Sequence, residues 1–320
     1  MSVTTLTGSG GATRGFRHEA LLYDGDEGFL DSTVPFIVDG LVRNEPVMVA
    51  VSDRRIQLLR DNLGWDRHWV DFVDMSRLGR NPGRIISAWQ RFVSDHRDHH
   101  PHLRGIGEPL WPERTPSEVI ECQHHELLLN AAFGDGRPWH LLCPYDRSTL
   151  DPAIIQASTG THPHLHDGGP GEVNADYRGD DQAFSAVLDG VLPEPGVPYR
   201  EVVFGIATRA EVGRVLAEET ARLSPTKAAE LARCVDEVVD NSIRHGGGRG
   251  TARIWHDDGL VCEVRDDGHI DDPLIGRGLG PTEVHEGRGL WLVHALCDLV
   301  ELRSSATGTV VRMSVRYDHP

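Results

Sequence analysis

The sequence predicts two domains of different class: an N-terminal α/β domain built on a parallel sheet, and a C-terminal α+β sandwich with helices on one face of a mixed sheet. Three observations predict this. The chain has 320 residues, against roughly 150 for an average domain, so each half can hold its own core. In the first half short apolar runs alternate with helical patterns, as βαβ units require, whereas in the second half two long helical patterns precede alternating strands. Between them lies the densest run of turn formers in the chain.

Element by element, residues 1–14 are small and polar and read as a disordered tail. The N-terminal domain, 15–166, then runs strand 20–23 (ALLY), helix 26–43, strand 47–52 (VMVAVS), helices 53–63, 84–98 and 116–133, and strand 139–143 (WHLLC). A breaker-rich linker over 167–198 is interrupted by one short helical stretch, AFSAVLDGV. The C-terminal domain, 199–320, opens with strand 200–206 (REVVFGI) and helices 209–223 and 227–245. Strands TARIWHD and LVCEVRD, a helix LWLVHALCDLV and a closing hairpin, VELRSS with TVVRMSV, complete it.

Composition narrows the function. Hydrophobic residues at 39% and charged residues at 25% describe a globular chain. The net charge of −17 repels nucleic acid and anionic lipid, so neither is an expected partner. Lys227 is the only lysine and follows Pro225-Thr226, which excludes a Walker A loop and a protein-kinase strand lysine. Cys122, Cys143, Cys234, Cys262 and Cys297 are widely spaced without a C-x-x-C pair, as reduced thiols are. With no charged leader and no apolar run of about 20 residues, the expectation is a cytoplasmic protein.

The chemistry concentrates in the second half. On the 227–245 helix, Leu231, Val235 and Val238 mark a core face. Glu237, Asn241 and His245 step by four along another, with Arg244 beside them. An Asn carbonyl is a hard oxygen ligand suited to Mg²⁺, and a Glu one turn away can deprotonate a hydroxyl. Alone, this spacing is usually just a solvated helix face. It is joined by a strand ending in Asp266-Asp267-Gly268, where a carboxylate can accept the adenine amine and a glycine lets backbone approach a flat base. Gly287-Arg288-Gly289-Leu290 then opens a helix whose amides suit phosphate, and Thr309 supplies a further hydroxyl. A second copy, Gly276-Arg277-Gly278-Leu279, is stopped by Gly280-Pro281 and reads as a mobile lid.

The order DEVVDNSIRHG, VRDDG, glycine-rich lid, GRGLWLV and GTVV resembles the asparagine box and the two glycine boxes of the GHKL (Bergerat-fold) ATPase/kinase superfamily. Within it, the compact form is similar to the anti-sigma-factor serine/threonine kinases. The resemblance implies ATP and Mg²⁺ as cofactors. It also implies Glu237 as catalytic base, Asn241 as Mg²⁺ ligand, Asp266 as adenine anchor, and Gly268, Gly287, Gly289 and Thr309 around the nucleotide. Ile270 stands where the family has a second glycine, and strain at positive φ there is expected to lower ATP affinity.

Residues 15–166 resemble the MEDS sensory domain through RHEALLYDGDEGFLDSTVPFIVDGLVRNEPVMVAVSD, the Leu142–Asp146 strand end and Thr161-His162-Pro163. That resemblance implies a RecA-like fold that senses small molecules. Its ligand is expected at the carboxyl ends of the strands, and Tyr23, Cys143 and Tyr145 stand as candidates either to touch it or to pack in the core. His96 and His100 could hold a metal but sit at a charged helix end.

The leading expectation is thus a sensory domain controlling an ATP/Mg²⁺-dependent serine/threonine kinase whose partner is an anti-sigma antagonist or sigma-factor-like protein. A homodimer is one assembly open to it. The alternatives are a histidine-kinase-like transducer, because His125-Glu126-Leu127 echoes an H-box, and a non-catalytic ATP-binding module that sequesters a sigma factor. Glu237 and Asn241 together favour catalysis over binding alone.

Overall fold

The computed structural model describes residues 15–134, 136, 138–167, 171–279 and 288–318. The N-terminal half runs β1 (Phe16–Tyr23), α1 (Gly25–Val42), β2 (Val47–Val51), α2 (Asp53–Leu63), β3 (Val70–Asp74), α3 (Met75–Leu78), α4 (Ile85–His96), β4 (Arg104–Gly107), α5 (Pro116–Phe133), β5 (Trp139–Asp146), α6 (Pro152–Thr159), β6 (His164–His166) and β7 (Glu172–Val173). These strands form one sheet in the order β3-β2-β4-β5-β1-β6-β7, in which only the β6/β7 pair is antiparallel.

Successive side chains on a strand face opposite sides, so each strand feeds two cores. Leu21 and Tyr23 join Phe29 and Ile37 of α1 and Ile56 and Leu59 of α2 on one face. Ala20, Cys143 and Tyr145 join Trp89 of α4 and Leu128 of α5 on the other. Strands β3 and β4 carry no clear apolar alternation and escape the sequence reading. In β4 the cause is packing: a Cβ on Gly105 or Gly107 would come 2.8 or 3.0 Å from the Trp89 ring, so glycine replaces the usual branched residue.

After α7 (Asp181–Ala186) come β8 (Arg200–Gly205), α8 (Arg209–Glu219), α9 (Pro225–His245), β9 (Arg249–His256), β10 (Gly259–Asp266), α10 (Arg288–Leu296), β11 (Leu299–Ser305) and β12 (Gly308–Arg316). Ser224 caps α9 and Pro225 occupies its first turn. The sheet, in the order β11-β12-β10-β9-β8, is wholly antiparallel rather than mixed. Two successive helices return the chain to the end of the sheet it left, so β9 runs against β8. The single helix α10 makes β11 parallel to β10 in direction, but β12 is inserted between them. The helix expected to continue to Val300 ends at Leu296, and Leu299 already pairs in β11.

The segment 167–198, expected to be a linker, is partly built into both halves. Strand β7 extends the first sheet, Val187 is buried in the first core, and Leu188 is buried in the second, its carbonyl accepting the Ser304 amide. The two halves also meet directly. Asn81 Nδ2 donates to the His294 carbonyl at 3.0 Å, and Arg80 pairs with Asp298 at 3.0 Å. A Cβ on Gly83 would strike the His294 imidazole, whose pKa burial and then Arg277 push down to about 3. No helix among the described residues is long and apolar enough to cross a membrane.

Candidate functional site

A cleft of about 380 Å³ opens between α9, the end of β10 and the first turn of α10, within the usual size of small-ligand pockets. It takes its shape from the amphipathic split of α9. Leu231, Val235 and Val238 hold that helix to the sheet, and Asn241 and His245 line the cleft. Val238, Ile270, Ile275, Leu290 and Val311 supply apolar walls, and Asp266, His269 and Thr309 supply polar ones.

Asp266, the last residue of β10, is held at both oxygens. Its Oδ1 accepts the Gly268 amide at 2.8 Å and its Oδ2 the Ser242 hydroxyl at 2.6 Å. Gly268 is a steric necessity, because a Cβ there would lie 2.8 to 3.0 Å from Asp266 Oδ1, Gly246 Cα and the His245 carbonyl. Thr309 Oγ1 donates to the Gly268 carbonyl at 3.0 Å and lies 3.0 Å from Ser304 Oγ, which accepts the Ile270 amide at 2.8 Å.

At the other end of the cleft, Gly289 brings α10 against α9. A Cβ there would stand 3.0 Å from Glu237 Oε2 and 3.3 Å from Asn241 Nδ2. The first turn of α10 at Gly289 therefore packs beside the carboxylate and the carboxamide singled out in the sequence. Leu290 is buried and lines the cleft. Arg288 begins α10, and Gly287 lies outside the described residues.

Not every predicted residue converges. Arg244 is two-thirds exposed, pairs with Asp240 at 3.5 Å and does not line the cleft, because it leaves α9 on the solvent side. The strain expected at Ile270 is absent: among the described residues only Asn44 is a non-glycine at positive φ, and the Ile270 side chain packs on the C-terminal core. The sequence reading missed Ser242 and Ser304, whose hydroxyls fix Asp266 and the turn after it. A serine beside Asn241 on the buried flank of α9 was the available sign.

The expected lid is anchored over its described part. Gly276, at φ 73°, lies against the backbone of Leu290 and Trp291, and the Leu279 amide donates to Gln90 Oε1 of α4 at 2.7 Å. Between them Arg277 is buried and donates to Glu121 Oε2 of α5 at 2.9 Å, while Arg303 donates to Glu121 Oε1 at 2.9 Å. Burial alone would raise the Glu121 carboxyl. The His124 ring, 3.4 Å away, and the two guanidiniums outweigh it and hold the group well below the usual carboxylate range.

In the first half, the carboxyl ends of the strands carry a polar network. Tyr23 donates to Glu108 at 2.8 Å, Arg55 pairs with Glu108 and Asp146 at 3.1 and 3.2 Å, and Asp146 accepts the Gly25 amide at 3.2 Å. Burial pushes Glu108 up to about 7. A carboxylate thus meets the opening amide of α1, and Asp26 and Glu27 follow in its first turn, which opposes phosphate there. The large cavity of this half, about 770 Å³, lies instead at the amino ends, among Arg17, Glu19, Arg104 and His140. His96 and His100 each turn Nδ1 to a backbone carbonyl, and neither belongs to a group of three or more potential metal ligands among the described residues. His125 is buried within α5.

Residues 17–163 match the model of the MEDS domain, the methanogen/methylotroph, DcmR sensory domain. Residues 206–315 match the histidine kinase-like ATPase domain. The chain therefore carries an N-terminal MEDS domain and a C-terminal ATPase domain of the GHKL kind. Among solved structures it is similar to the RsbU and RsbW domains of a Mycobacterium tuberculosis protein, with 18% identity, a TM-score of 0.29 and coverage of 38% of this chain and 34% of that one. It is also similar to the histidine kinase AdeS of Acinetobacter baumannii, with 13% identity, a TM-score of 0.23 and coverage of 38% and 70%. The chain thus spans about a third of the length of the first of these. No curated protein matches it.

Proposed function

We propose that the chain is a sensor-controlled kinase of the anti-sigma-factor serine/threonine type, with ATP and Mg²⁺ in the cleft of the C-terminal domain and a small anti-sigma antagonist or sigma-factor-like protein as its partner. The observation that carries this reading is the convergence of Asn241, Asp266 and Gly268 on one cleft, with Glu237 and Asn241 against the first turn of α10.

The residues divide the work. Asp266, with each oxygen already holding one donor, keeps lone pairs free for an exocyclic amine, and Ile270, Ile275 and Val311 offer apolar surface to a flat ring. The α10 amides face the place where phosphate belongs, and Gly289 keeps that approach open. The Asn241 carbonyl is the hard oxygen that suits Mg²⁺; the ion supplies charge neutralisation on the transferred group. Glu237 takes the proton of an attacking hydroxyl. His125 is 1% exposed, and burial holds its ring down to about 4, so a phosphohistidine route finds no accessible acceptor there.

Incubation with labelled ATP and a candidate partner tests the reading. Acid-stable label on the partner is the expected result. Acid-labile label on this chain that disappears in His125→Gln overturns it, and ATP binding without any transfer replaces it with a pure binding module.

A further inference from the structure

Inside the MEDS domain, away from the nucleotide cleft, four side chains with metal-ligating atoms come together. His18 of β1, Glu126 of α5, Cys143 of β5 and His162 after α6 are all buried, and one ligand atom from each lies within 4.8 Å of every other. His18 Nε2 is 3.0 Å from Glu126 Oε2, His162 Nε2 is 3.2 Å from the same oxygen, and Cys143 Sγ is 3.4 Å from His18 Nε2.

The hydrogen bonds behind the two rings decide what faces inward. Asn130 Nδ2 donates to the carbonyls of Leu127 and Thr161, so its Oδ1 must be the atom 3.1 Å from His18 Nδ1 and must accept from it. His162 Nδ1 lies 2.9 Å from the Ser158 carbonyl, which also requires a proton on Nδ1. With Nδ1 turned to these acceptors, both rings present Nε2 to one Glu126 oxygen, the orientation of a metal-ligating imidazole. With the Cys143 thiol beside His18 Nε2, two imidazole nitrogens, a carboxylate oxygen and a sulfur come within 4.8 Å of one another, the donor set that holds a cation. His162 Nε2, Glu126 Oε1 and the nearby buried Tyr145 hydroxyl have no hydrogen-bond partner.

We propose that His18, Glu126, Cys143 and His162 form a four-ligand site for a divalent transition cation of the zinc class. Metal–ligand bonds of about 2.0 Å to nitrogen or oxygen and about 2.3 Å to sulfur put tetrahedral ligand atoms about 3.3 to 3.6 Å apart. The three distances above are close to that. Imidazole with thiolate selects zinc-like ions over Mg²⁺ or Ca²⁺. Binding forms the metal–sulfur bond and releases the Cys143 proton to solvent. Thiolate and carboxylate then cancel the charge of the dication, which suits a fully buried site. The ligands come from two strands, a helix and a loop, so the ion would tie the sheet to the helix that also carries Glu121.

The test uses the full chain, stripped with a chelator and titrated with Zn²⁺ or Co²⁺ alone. About one metal per chain is expected, with intense tetrahedral cobalt bands and a thiolate-to-cobalt charge-transfer band that Cys143→Ser abolishes. His162→Ala should weaken binding at least about tenfold. The double variant His96→Gln, His100→Gln, outside the cluster, should bind as wild type does. X-ray absorption of the zinc-loaded wild type gives a readout that needs no variant: one sulfur and three nitrogen or oxygen neighbours are expected. Natively folded chain that takes up no metal, a metal shell without sulfur, or binding lost with His96 and His100 overturns the proposal.

Discussion

Arg277, in the segment between β10 and α10, donates to Glu121 of the MEDS domain at 2.9 Å, and both side chains are almost wholly buried. The residue read from sequence as part of a mobile lid is thus gripped by the sensory half of the chain. Arg303 of β11 grips the same carboxylate from the other side. The pair thus joins α5 to the segment whose Gly276 lies against Leu290 and Trp291.

Glu121→Ala leaves two buried guanidiniums without their partner. Removing one member of a buried ion pair costs about 3–5 kcal/mol, so denaturant unfolding should show a loss of that order. Amide hydrogen exchange over 270–279 should rise in the same variant. Unchanged exchange there would mean that the pair does not hold the segment.

The same carboxylate sets a pH window. Its folded-state pKa is depressed, so its contribution is fully present above the unfolded value of about 4.3 and is lost as pH falls through the lower folded value. Stability of wild type should drop on acidification below about pH 4 more steeply than that of Glu121→Gln. Parallel acid curves for the two would remove Glu121 from the account.

Asn241→Ala and Glu237→Gln should fail in different ways. The first removes the proposed Mg²⁺ oxygen and should weaken binding of the Mg²⁺–ATP complex. The second keeps the shape but loses the proposed base, and should lower phosphotransfer by about 10²–10⁴-fold with little change in nucleotide affinity. Isothermal titration paired with transfer rates separates the two.

Gly289→Ala puts a methyl 3.0 Å from Glu237 Oε2 and 3.3 Å from Asn241 Nδ2. Alanine is the better helix former by about 1 kcal/mol, so the thermal midpoint should hold or rise while ATP affinity falls. A fall in both would point to damage to the helix rather than to the cleft.

Ile270→Gly should weaken the C-terminal domain. Ile270 is not at positive φ and its side chain packs on the core, so the change removes contact without relieving strain. A stability loss of about 2 kcal/mol is expected, with no gain in ATP affinity. Tighter ATP binding would restore the strain reading.

Short-range chemistry was legible along the chain. The two faces of α9 follow from helical spacing, and the glycines at 268 and 289 sit where backbone must come close, so the C-terminal cleft could be assembled from local runs. Strand β4 was not legible, because its glycines answer to Trp89, a residue of another element. The cavity of about 770 Å³ in the N-terminal half was not legible either, because it is framed by the amino ends of β1, β4 and β5, which only the sheet brings together.

Spacing carries information only as far as one helix or strand extends, and there the residues alone were enough to propose Glu237, Asn241 and Asp266 as a set. Glu121 and Arg277 stand 156 positions apart, and His18 and Cys143 stand 125 apart. Nothing in the pattern around either pair marks one for the other. Their meeting depends on how β1 pairs with β5 and how α5 lies across the sheet and against the second domain. A buried charge or a buried imidazole nitrogen acquires its meaning from those neighbours, because burial removes water and leaves the surrounding side chains as the only partners it has.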